Sequence, residues 1–120
     1  MVSEDVIVKH EVLNDLVSIY IYYSKMFHGF VAYGFSAYLA MKVCKAIGVD
    51  LKEDYSEDLQ MPIVIIGLTK IDILKYECVM LQDSIEGAFY HLRCNHIMDE
   101  KKYDDWAQWL RDFKCDILLS

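Results

Sequence analysis

Proline occurs once and glycine five times in 120 residues. So few turn-formers argue against the many short strands of a sandwich and favour long elements. Basic residues are outnumbered, 12 against 19 acids, and the formal net charge is −7. A nucleic-acid surface needs clustered Lys and Arg, so DNA, RNA and an anionic membrane are poor partners for this chain. The four cysteines, Cys44, Cys78, Cys94 and Cys115, form no CxxC pair. Reduced, buried thiols in a cytoplasmic protein are the expected state. The most apolar stretch, 26–41, is bracketed by Lys25 and Lys42 and interrupted by His28. It is too short for a span of roughly 20 residues. The first residues, MVSEDVIVKH, put acids where a secretory leader would carry a basic region. No GxxxxGK[ST] loop, GxSxG elbow or paired metal-ligand spacing occurs. No cofactor and no catalysis are therefore expected.

What is present is apolar and aromatic. Hydrophobic residues make up 55% and aromatics 13%, nine of them tyrosine. Ile71, Leu74, Cys78, Leu81, Ile85, Ala88, Phe89 and Leu92 recur at spacings of three and four. Such spacing places them on one stripe of a helix over about 69–95. The same spacing predicts helices over 11–27 (Leu13, Leu16, Val17, Tyr20, Tyr23, Phe27), 30–47 (with the small row Ala32, Ser36, Ala40, Cys44) and 99–113 (Tyr103, Trp106, Ala107, Leu110, Phe113). Ser3-Glu4-Asp5 reads as a capped helix start, against a short strand at Val6–Val8. Gly48, after Lys42 and Lys45, reads as a helix end. MPIVIIG, 61–67, fits a buried strand or a helix led by Pro62, with helix favoured because no other strand is in sight. The expected fold is all-α: one domain over 1–120, a bundle of four to five helices around the long one, with a possible short β element at 61–67.

Thr69-Lys70-Ile71-Asp72 resembles the guanine-reading [NT]KxD motif of small GTPases. With no phosphate loop beside it, the segment reads as a helix start capped by Thr69. His91 and Cys94 would share a helix face near His96, and Cys115 could approach, yet zinc spacing is missing. Glu77 and Glu86 have no His three residues on, as di-iron bundles require.

The remaining signal is a surface. Asp50, Glu53, Asp54, Tyr55, Glu57 and Asp58 form an acidic, aromatic connector, and Asp104, Asp105 and Trp109 add to it with Asp99 and Glu100. Acids attract a basic partner and aromatics anchor it. The expected function is a small cytoplasmic protein that binds and inhibits or neutralises a larger, basic protein, as immunity proteins and phage anti-defence proteins do. Two alternatives stand beside it. One is a small-ligand or metal-sensing domain around helix 30–47 with Met26, Met41 and His28. The other is a self-associating subunit, such as a homodimer, that hides surplus aromatics such as Tyr22 and Trp109.

Overall fold

The computed structural model describes residues 3–84 and 89–119, with side chains through 113. It overturns the all-α expectation. The elements are α1 (Glu4–Val12), β1 (Ser18–Ser24), β2 (Gly29–Tyr33), α2 (Gly34–Lys45), β3 (Lys52–Ser56), β4 (Met61–Ile66), α3 (Ile71–Glu77), β5 (Val79–Asp83), β6 (Phe89–Arg93) and α4 (Glu100–Leu119). The strands form a six-stranded sheet in the order β3-β4-β2-β1-β6-β5. Every neighbouring pair is antiparallel.

Each misread segment has a physical reason. In β1 the alternation is aliphatic against aromatic rather than apolar against polar, because both sheet faces are covered. Ile19 and Ile21 are fully buried on one face, and Tyr20 and Tyr22 lie on the other. The predicted helix over 11–27 therefore ends at Val12, where Asn14 and Asp15 take over. Their carboxamide and carboxylate oxygens accept from the Leu16 and Val17 amides at 2.8 and 3.2 Å, and Leu16 is left-handed at φ 68°. The predicted helix over 30–47 gives its first residues to β2. The connector 49–60 contains β3, and 61–67 is not helix but strand β4, buried between β2 and β3. The long helix over 69–95 is in fact α3, β5 and β6. Its stripe holds for Ile71 and Leu74 on α3, but Leu81 is 52% exposed on β5 and Leu92 is fully buried by strand alternation. Ile85, Glu86 and Ala88 lie outside the described residues, as does the side chain of Cys115.

Two local readings at helix ends agree with the structure and a third, the Thr69 cap, does not. Ser3 caps α1, its Oγ accepting from the Val6 amide. Gly48, at φ 76°, follows α2. Lys70 rather than Thr69 is the cap residue of α3, and its side chain makes no capping bond.

The main core lies between the sheet's inner face and the helices. Ile19, Ile21, Ala32, Val64, Ile66 and Leu92 are fully buried there against Ala37, Leu39, Ala40 and Cys44 of α2 and Leu74 of α3. On the α4 side, Tyr103 and Trp106 pack against this core beside Phe35 and Tyr38. The outer face carries a second cluster of Ile7, Tyr22, Val31 and Ile63, with Tyr20, Phe27, Tyr33, Leu59 and Phe89 at its margin. Its helical cover is the nine-residue α1. Among the described residues no helix is long and apolar enough to cross a membrane.

Candidate functional site: an acidic, aromatic groove on the outer face

Because α1 is short, it leaves part of the outer face uncovered. A groove of about 770 Å³ opens there, between α1 and the tips of the β1–β2 and β3–β4 hairpins. Tyr22, Val31 and Ile63 form its floor, and Phe27, Tyr33 and Leu59 form half-buried walls. Both tips are set by a left-handed residue, His28 at φ 52° and Gln60 at φ 56°. The second tip is also tied internally: Ser56 Oγ accepts from the Leu59 amide, and Gln60 Nε2 donates to the Glu57 carbonyl. Glu4, Asp54, Glu57 and Asp58 ring the groove, opposed by Lys25.

The Tyr22 and Tyr33 hydroxyls keep their protons. Burial raises the Tyr22 and Tyr33 pKa values, and the negative charge of Glu11 and of Glu4 respectively adds to the effect. They remain hydrogen-bond donors at neutral pH.

Beside the groove an aromatic stack pins α1 to the sheet. His10 lies on Tyr20 with ring centroids 4.4 Å apart, and Tyr20 lies on His91 at 4.3 Å. His10 Nδ1 is 2.6 Å from the Tyr22 hydroxyl, and His91 Nε2 is 2.8 Å from Ser18 Oγ. Burial lowers both histidine pKa values. A serine against a histidine invites a nucleophilic reading. Ser18, however, is 1% exposed at the start of the interior strand β1, so no substrate carbonyl reaches it.

One further polar contact holds α1. Glu11, 4% exposed, accepts from the Ser36 amide at 2.9 Å and the Ser36 hydroxyl at 2.7 Å. It supplies from α1 the N-terminal cap that α2 does not make for itself. Gly34 opens α2 at φ 57°, where an added Cβ would lie 3.2 Å from Glu11 Cγ.

The sequence-predicted site residues divide. Asp54, Glu57 and Asp58 line the groove. Glu53 points to the other face and accepts from Trp106 Nε1, tying β3 to α4. Tyr55 is 6% exposed and, besides bordering the groove, borders a smaller hollow of about 300 Å³ with Tyr103 and Asp104. Asp50 is exposed, its carbonyl accepting from Lys70 Nζ at 2.6 Å. Asp105 and Trp109 are exposed on α4, where Trp109 stacks on Phe113. The acidic connector and α4 thus meet through Glu53 and Tyr55, while of these two predicted regions only the connector reaches the groove. Glu4, Lys25, Tyr22, Phe27 and Tyr33 were not among the predicted residues. Tyr22 and Tyr33 had a signal, their alternation with aliphatic residues in 18–24 and 29–33, which only a strand turns into one face; Glu4, Lys25 and Phe27 had none.

His91, Cys94 and His96 do not converge. On a strand His91 faces outward to Ser18, whereas Cys94 is buried in the main core and its Sγ donates to the His96 carbonyl at 3.3 Å. Among the described residues no three His, Cys, Asp or Glu are grouped to hold a metal ion. Of the residues named for a sensory lining, Met41 is in the main core, whereas Met26, 77% exposed, lies at the groove rim with Val31 and Tyr33 in the same lining. Tyr22, at 2% exposure, is not surplus surface.

No family model, curated protein or solved structure matches this chain.

Proposed function

We propose that this chain is a non-catalytic binder that inhibits or neutralises a larger protein by docking a basic part of it on the outer face of the sheet. The observation that carries this reading is the groove: a preformed aromatic hollow with four carboxylates and one lysine on its lining. Acids at the rim steer a basic partner and fix its register, and the aromatic floor supplies the desolvated anchor. The net charge of −7 extends the same attraction over the whole molecule. A cytoplasmic setting fits three buried free thiols, Cys44, Cys78 and Cys94.

The test is capture from native host lysate with the wild-type chain and with a variant carrying Glu57→Lys and Asp58→Lys. Both residues are exposed on a hairpin tip, so folding is unaffected. The proposal expects a stoichiometric protein that the wild type retains at low salt and the variant does not. Retention of the same proteins by both would remove the groove's acids from the account.

A further inference from the structure

We infer that the groove receives one arginine side chain from a segment of the partner protein, its guanidinium lying on the aromatic walls and paired with the carboxylates of the β3–β4 tip. This rests on the binding role proposed above and names the group recognised. The size is sufficient for an arginine side chain with part of the segment that carries it: about 770 Å³ lies within the range of pockets for drug-sized groups. The charge argues for a cation, because Glu4, Asp54, Glu57 and Asp58 line the groove against Lys25.

The walls argue for a planar cation. Tyr33 and Phe27 are half-buried groove walls, and Tyr33 packs on the buried Tyr22 of the floor with ring centroids 6.1 Å apart at 56°. A guanidinium stacks on such rings and also pairs with carboxylates in a two-pronged fashion. A lysine ammonium, compact and strongly hydrated, does this less well. The Tyr33 hydroxyl, kept protonated by burial and by Glu4, is a donor for a carbonyl of the incoming segment.

The experiment is an amide-shift titration of the full chain, labelled with ¹⁵N, using the peptide acetyl-Ala-Arg-Ala-amide. The citrulline peptide serves as neutral isostere, and the lysine peptide as the alternative cation. The inference expects shifts concentrated at residues 25–28 and 56–60, with arginine bound more tightly than lysine and citrulline not bound. Binding should weaken as salt rises, and by at least about threefold when Glu57→Gln and Asp58→Asn are combined. Equal binding of the citrulline or lysine peptide, shifts confined to other surfaces, or no shifts at saturating peptide would overturn it. The two readings fail separately. A salt-sensitive partner captured by the chain whose arginine peptides leave the groove unmoved refutes this inference and spares the function. Groove shifts without any captured partner do the reverse.

Discussion

Glu11 is the residue on which α1 depends. Its carboxylate receives two donors from Ser36, which favour the charged form, yet burial outweighs them and raises its pKa to about 7. The folded chain therefore holds a proton between about pH 4.5 and 7 that the unfolded chain has released. Stability contributed by this group is fully present below the lower value and is lost as pH rises through the upper one. Glu11→Gln removes the titration and keeps an acceptor. We expect the stability of the wild type relative to Glu11→Gln to fall by about 3 kcal/mol from pH 4.5 to 8. Denaturant unfolding of both proteins across that range measures it, and parallel curves would exclude the assignment. The comparison cancels His10 and His91, whose lowered pKa values act in the opposite sense: their contribution is present above the ordinary histidine value and lost as pH falls. Ser36 serves twice, because its Oγ also accepts from the Tyr20 amide at 2.9 Å. One hydroxyl thereby joins α1, α2 and β1.

At the scale of elements, two side chains of similar chemistry have opposite fates. Ile21 is fully buried in β1, and Leu81 is 52% exposed on the edge strand β5. Ile21→Ala should cost about 2–5 kcal/mol through lost burial and the cavity left behind. Leu81→Lys should stay within about 0.5 kcal/mol of wild type. A helical stripe over 69–95 would make Leu81 a core position, so a loss of several kcal/mol at Leu81 would argue against the sheet. The pair also shows where sequence reading stops. Helical termini were legible because their causes are local: Ser3 before Glu4 and Asp5, Gly48 after two lysines, and the α4 stripe of Tyr103, Trp106 and Leu110. The strands were not legible, because a sheet with aliphatic side chains on one face and aromatic ones on the other has no polar phase to reveal its period of two. Spacings of three and four then fit Cys78, Leu81 and Leu92 by coincidence. Pairing is non-local too. β4 shares backbone bonds with β2, some 30 residues earlier (Tyr33 opposite Ile63), and nothing within 61–67 declares that partner.

At the scale of the molecule, the arrangement separates support from recognition. The inner face carries the larger core, formed with α2, α3 and α4, and the outer face carries a lightly covered aromatic surface. The two edges of the sheet differ as well. β3 bears Lys52, Glu53 and Asp54 and is tied to α4, whereas β5 exposes Val79 and Leu81. Charge on an edge discourages pairing with other chains, which leaves β5 as the edge to compare with the groove. The acidic half of the candidate site was legible in residues 54, 57 and 58, because charge clusters in sequence. The aromatic half was not, because Tyr22, Phe27 and Tyr33 converge only once β1 and β2 have paired.

Site-specific photo-crosslinking in the native host tests the central claim most directly, with a photoreactive residue placed at Met26 on the groove rim or at Val79 on β5. Met26 is 77% exposed and Val79 60% exposed, so both sites are reachable. The account predicts one discrete protein adduct from position 26, diminished by Glu57→Lys with Asp58→Lys, and none from position 79. An adduct from position 79 alone, or one from position 26 that ignores the charge reversal, would contradict it.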